Sequence, residues 1–261
     1  MAKLWLFNKK YLHPWQDPDC KGYWKLEEAS GTRSDATSNA NNLTDNNTVT
    51  QGTGIRGNCA DFERDNNETL SITNATQTGL NFAGDHSLFA WVKPESFLAN
   101  EGVIEKNDTS YSTGSSTKGY ALKMVGAANM GVGTSLSKAS GYTDYLTNLP
   151  GIPAGEWCFI GYTYDAVADG TSILVHYFNG YRINGWMNAI LMVQDSVSVF
   201  RLGLWADSTY LYDGLMDEAC AFNRVVSAND VLWLYLYGLS KVGGGVYTGT
   251  PQVSAGFGGG V

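Results

Sequence analysis

Residues 156–165, EWCFIGYTYD, place apolar side chains on both parities: Trp157 and Phe159 on one, Ile160, Tyr162 and Tyr164 on the other. A strand written this way is covered on both faces, which only the interior of a layered β structure provides. Neighbouring segments alternate with simple period two. Leu88, Ala90 and Val92 share one face of HSLFAWVKP while Phe89 and Trp91 take the other, and Tyr120, Leu122 and Met124 line up in GYALKM. TSILVHYF and YRING flank Asn179-Gly180, the dipeptide that best tolerates positive φ at both centres of a tight hairpin. SVFRLGLW and GLMDEACAF supply further strands. One helix stands apart: Ser227 opens SANDVLWLYLYG with Asp230 three residues on, as in a capping box. Val231, Leu234 and Tyr235 follow at helical spacing, and Gly238 is placed to end the helix. The pattern fits an all-β fold, a β-sandwich or jelly roll closed by one short C-terminal helix near 228–236.

Composition agrees. Charged residues make up 16% of the 261, against about 25% in an average soluble domain, and 31 glycines suit many turns. A net charge of −8 argues against general nucleic-acid binding, since nothing would displace counterions from phosphates. Three parts are read: an aromatic arm over 1–21, a body over 22–238, and a glycine-rich tail over 239–261 that is too floppy to pack alone. No apolar run reaches the length of a membrane span. Lys3, Lys9, Lys10 and His13 interrupt the first fifteen residues, so no signal peptide is read and synthesis in the cytoplasm is expected. Cys20, Cys59, Cys158 and Cys220 have no metal-like spacing; free buried thiols are favoured, and the even count leaves a disulfide open.

Across residues 22–238 the segments WKLEEASGT, GNCADF, HSLFAWVKP, GYALKM, GEWCFIGYTYD, ILVHYFNG, FRLGLWA and YDGLMDEACAFNRVVSANDV follow one another in an order and spacing that resemble the laminin G-type, concanavalin A-like jelly rolls. The resemblance implies two packed antiparallel sheets, commonly in carbohydrate-binding, adhesive or structural modules, and in many members a structural calcium near a sheet edge. Two departures stand out: Cys158 replaces a polar residue, and the strand after Asp217-Glu218 is unusually apolar.

Glu63, Asp65 and Glu68 fit the E-x-D-x-x-E spacing of the laminarinase-type glucanases that share this fold. Their chemistry needs strand alternation to aim the carboxylates into one cleft. Here Arg64, Asn66 and Asn67 intervene, which are turn formers, so a solvated acidic turn and no enzyme are expected. His13, His86 and His176 lack a nucleophile motif, and His176 reads as a hydrogen-bonded mid-strand histidine. Asp217 and Glu218 interrupt an apolar strand, so a buried carboxylate there needs compensation. The resemblance suggests calcium on Asp217, with Asp35 and the loop to Asn42 as co-ligands; the alternative pairs a carboxylate with Arg224 or Arg201. Sugar stacking would use loop aromatics at Tyr111–Ser116, Tyr142–Tyr145 and Asp207–Asp213, with Tyr142, Tyr145 and Tyr212 as contacts. The arm's Leu4-Trp5-Leu6-Phe7 run and the tail suit strand addition to, and threading along, other protein subunits, with Trp5 and Phe7 filling pockets. The expectation is a non-catalytic structural or adhesive component of a larger assembly, such as a viral capsid decoration or appendage protein, able to bind glycans; a free lectin is the alternative and a glycoside hydrolase the weakest reading.

Overall fold

The computed structural model describes residues 12–98, 100–107, 119–126, 131–137, 142–149, 154–167, 171–187, 189–190, 197–205 and 210–240. In chain order the strands are β1 (Cys20–Trp24), β2 (Thr44–Asn46), β3 (Thr50–Thr53), β4 (Asn58–Phe62), β5 (Thr69–Ile72), β6 (His86–Pro94), β7 (Glu101–Asn107) and β8 (Gly119–Met124). They continue as β9 (Gly131–Ser137), β10 (Tyr142–Asn148), β11 (Cys158–Asp165), β12 (Ile173–Phe178), β13 (Tyr181–Met187), β14 (Phe200–Leu202), β15 (Leu204–Trp205), β16 (Tyr210–Leu211) and β17 (Gly214–Phe222). The first sheet runs β13-β12-β11-β6-β17-β4-β3, with β1 also on β17; the second runs β10-β9-β8-β7-β14-β5-β2. Every pairing is antiparallel, and β15–β16 forms a separate hairpin. This is the expected jelly-roll sandwich.

The alternation dictates the core. Leu88, Ala90, Val92, Ile160, Tyr162 and Tyr164 from the first sheet meet Tyr120, Leu122, Met124, Val132 and Leu136 from the second. The opposite parity, Phe89, Trp91, Phe159, Cys220 and Phe222, builds a second core on the outer face of the first sheet, under Val231 and Leu234 of α1 (Ala228–Leu239). Removing a side chain such as Phe159 from water contributes about 1.5–3 kcal/mol, so the helix is held by its apolar stripe. The doubly covered β11 and the apolar stretch of β17 have the same cause: sheet on one side, helix on the other. Cys158 belongs to the inter-sheet core, which accounts for the apolar residue at that position.

Asn179 (φ 48°) and Gly180 (φ 82°) make the hairpin between β12 and β13 as the sequence requires. Ser227 caps α1 by accepting the Asp230 N–H at 3.2 Å, but the Asp230 carboxylate turns to Arg224 (3.4 Å) instead of closing the box. Gly238 does not end the helix. It lies inside α1, buried, where a Cβ would come within 2.2 Å of the Trp91 indole nitrogen. Its role is close packing against the sheet. A short 3-10 turn, Pro14–Gln16, precedes β1, and its Trp15 packs against Tyr23 with ring centroids 5.1 Å apart. Part of the segment read as an arm therefore lies on the sandwich. Among the described residues no helix is long and apolar enough to cross a membrane, and all four cysteines are free and buried.

Candidate functional site

Register on the second sheet lines up one row of residues across five strands: Arg201, Glu105, Ala121, Ser135 and Asp144. Alternation with the core residues Phe200, Ile104, Tyr120 and Leu136 turns this row away from the sandwich interior. In a second row, Gly102, Lys123, Gly133 and Leu146 are aligned. Gly102 has a specific duty: a Cβ there would lie 2.0 Å from the Leu204 carbonyl carbon and 2.1 Å from the Trp205 nitrogen. The bare backbone lets the β15–β16 hairpin rest on this outer face, and Trp205 then covers Ala121.

The result is a polar floor beside an aromatic wall. The Lys123 ammonium, fully buried, is 3.0 Å from Asp144 Oδ1 and 3.7 Å from the centre of the Trp205 ring. Burial pulls the Lys123 pKa down and Asp144 opposes that shift. The Ser135 hydroxyl donates to the same Asp144 oxygen. Glu105, also fully buried, takes Arg201 Nη1 at 3.0 Å. Tyr210 and Tyr142 stand against Trp205 at centroid distances of 4.8 and 6.5 Å. The tyrosines are half-buried, and the Asp144 side chain keeps 27% of its surface exposed. The Lys123 ion pair and the Ser135 hydroxyl therefore hold a carboxylate that reaches solvent next to tyrosine rings, while the Arg201–Glu105 pair lies further along the same face. Chemically this arrangement accepts hydrogen bonds from a polar ligand and offers it aromatic surface.

The model of the concanavalin A-like lectin/glucanases superfamily, laminin G type, matches residues 64–232. The chain belongs to that superfamily. As a superfamily member it is similar in structure to domain 4 of AbnA, a GH43 extracellular arabinanase from Geobacillus stearothermophilus solved in complex with arabinotriose, with TM-score 0.59, 18% identity, and coverage of 83% of this chain and 98% of that one. It is also similar to the binding domain of botulinum neurotoxin serotype G (TM-score 0.62, 13% identity, 84% and 51% of the two chains) and to that of Paraclostridial Mosquitocidal Protein 1 (TM-score 0.60, 14% identity, 83% and 52%). The superfamily domain here thus spans about half of each toxin binding domain. No curated protein matches the sequence.

The glucanase half of the superfamily name directs attention to Glu63, Asp65 and Glu68. Glu63 and Glu68 flank a 3-10 turn, Arg64–Asn66, that contains Asp65 and ends on Asn67 in the left-handed region. Glu68 is spent on its own turn, accepting the Glu63 N–H at 2.9 Å and the Asn66 side-chain amide at 3.1 Å. No strand alternation aims these carboxylates into a common cleft.

Asp217 and Asp35, the residues expected to hold calcium, meet other partners in the fold. Both Asp35 oxygens are occupied: Oδ1 by the Tyr23 and Thr37 amides, Oδ2 by the Thr37 hydroxyl and the Asn41 amide, at 2.7–3.0 Å. Asp217 is fully buried at a bulge in β17, where the flanking strand changes from β4 to β1. Its Oδ2 accepts the Arg56 N–H at 3.0 Å, while Oδ1 has no hydrogen-bond partner. Tyr23 donates to Glu218 and Arg56 approaches it at 4.0 Å. Burial raises the pKa of both carboxyls, that of Glu218 to about 7. Among the described residues no three His, Cys, Asp or Glu side chains gather to hold a metal. The charge partner is Arg56, whereas Arg224 serves Asp17 and Arg201 serves Glu105.

Of Tyr142, Tyr145 and Tyr212, only Tyr142 reaches the outer face. Residues 142–145 belong to strand β10, so Tyr145 points inward, its hydroxyl accepting the Ile190 N–H at 2.9 Å. Tyr212 is fully buried, donating to the Leu215 carbonyl at 2.7 Å and accepting the Lys93 N–H at 3.1 Å. Trp5, Phe7, Tyr111–Ser116 and the tail from 241 lie outside the described residues. Asp144 and Tyr210 fall within the segments Tyr142–Tyr145 and Asp207–Asp213 expected to contact sugar, whereas Lys123, Ser135 and Trp205 were not foreseen; a lysine on the outward parity of the apolar strand GYALKM was the available signal. A cavity of about 530 Å³ lies elsewhere, among Trp15, Asp17, Thr37 and Asn39. His13 stacks on Trp15 at 4.5 Å and the Lys25 ammonium stands 4.1 Å over the same ring.

Proposed function

We propose that this chain is a non-catalytic binding module that takes carbohydrate on the outer face of its second sheet, at Tyr142, Asp144 and Tyr210. The observation that carries the reading is the Asp144 carboxylate, fixed by Lys123 and Ser135 and exposed beside tyrosine rings. Sugar hydroxyls donate well to a carboxylate that cannot rotate away, and charge-assisted hydrogen bonds are about twice as strong as neutral ones. Structural neighbours that include a domain solved with arabinotriose and a toxin binding domain support the same direction. The test is a glycan array followed by titration calorimetry of any glycan bound. Tyr142→Ala and Tyr210→Ala should each weaken binding about tenfold, the equivalent of about 1.4 kcal/mol, with the melting temperature nearly unchanged. Binding that ignores both substitutions moves the site elsewhere.

A second reading, a component of an assembly such as a capsid decoration or appendage protein, is favoured by one flank of the sandwich. β13 and β10 are end strands of their sheets. They carry exposed Tyr181, Met187 and Leu146, and open edges of that kind invite strand addition. Deleting residues 1–11 or 241–261 and measuring solution mass tests it. A monomer before and after the deletions, with no attachment to a larger particle, removes the assembly role.

A further inference from the structure

Resting on the carbohydrate reading, we infer that the outer face of the second sheet selects neutral oligosaccharides and refuses sialylated, sulfated, uronic or phosphorylated ones. The two cations the described strands place on this face are both committed, Lys123 to Asp144 and Arg201 to Glu105, each at 3.0 Å. Access is unequal within the first pair. The Lys123 side chain has no exposed surface, whereas Asp144 keeps 27% of its own. A ligand arriving from solvent therefore meets carboxylate before ammonium. An anionic group would face that like charge with no unpaired cation among the described strands of this face, on a chain whose net charge is −8. Hydroxyl groups suffer no such penalty, since each can donate to Asp144 while a ring packs against Tyr142 or Tyr210.

Pairing also predicts the salt response. Attraction between a charged ligand and an exposed counter-charge weakens as the Debye length shrinks from roughly 14 Å to under 5 Å between 50 and 500 mM salt. A neutral ligand bound through hydrogen bonds and aromatic contact is nearly indifferent to that change. The experiment applies the full-length protein to an array holding matched neutral and acidic glycans, then repeats calorimetry on the best binder at 50 and 500 mM NaCl. Neutral glycans should bind, with affinity changing less than about twofold between the two salts and falling about tenfold in Tyr142→Ala. Binding confined to acidic glycans, or an affinity that collapses at high salt, overturns the selectivity while leaving a carbohydrate module in place. Failure to bind any glycan on the array overturns the carbohydrate reading and this inference with it.

Discussion

His176 sits between the two sheets with Thr134 Oγ1 2.9 Å from Nε2 and Thr147 Oγ1 3.0 Å from Nδ1. Burial lowers its pKa from 6.5 to about 3, and the same cause takes His86 to about 4. Both imidazoles are therefore neutral in the folded protein at any pH near neutrality. Below pH 6.5 the unfolded chain accepts protons that the folded chain refuses, so this contribution is whole above pH 6.5 and is lost as pH falls toward 3. Glu218 works in the opposite sense. Its folded pKa of about 7 exceeds the ordinary 4.5, so the folded protein keeps a proton that the unfolded chain releases, and stability declines as pH rises from 4.5 to 7. Each group contributes at most about 1.4 kcal/mol per pH unit within its window. Chemical denaturation from pH 3 to 9 should show both limbs, with His176→Gln flattening the acid one and Glu218→Gln the alkaline one. An acid limb unchanged in His176→Gln would mean that the imidazole is charged in the fold.

Elements were far more legible than sites. The period-two segments located β6, β8, β11 and β17, and both parities of β11 foretold its two covered faces. What escaped was anything decided by a neighbour distant in sequence. YTDYLTN has weak alternation because its inward positions hold Thr143 and Thr147 beside Tyr145, so a strand passed for a loop and two tyrosines on opposite faces passed for equivalents. The partners of Asp217 and Glu218, the Arg56 amide and Tyr23, come from other segments and were not visible from the strand that carries them. Gly238 shows how the same residue type serves different ends: the helix continues through it to Leu239, and its missing side chain admits Trp91. In an exposed helix, replacing glycine by alanine gains up to about 1 kcal/mol. Here Gly238→Ala should lose roughly 1–3 kcal/mol by forcing α1 off the sheet, readable as a lower urea midpoint. A gain in stability would show that the helix is not seated on the indole.

For the molecule as a whole, the two cores and the free thiols describe a sandwich that closes without disulfides. Burial pushes the Cys59 and Cys158 thiols up to about 12, far from the thiolate range at neutral pH. The resemblance leads in the sequence to a metal on Asp217, whereas in the fold that carboxylate accepts the Arg56 backbone N–H. Chelation with EDTA should accordingly leave the melting temperature unchanged in the wild-type protein. A drop of several degrees, absent in Asp217→Ala, would reinstate the ion, because a ligand bound only to the native state stabilises it by mass action.

The pairing of β1 with β17 joins Trp24 to Ala219 and Cys20 to Phe222. On a ribosome adding about 5–20 residues per second, the earliest strand waits roughly 10–40 s for its partner to be made. During that interval Tyr23 and Trp24, both destined for burial, have no sheet to enter. Newly made chains stalled before residue 222 should therefore be degraded readily by protease and bound by chaperones, with resistance gained only once β17 has left the exit tunnel. The domain's biogenesis is timed by its last strand.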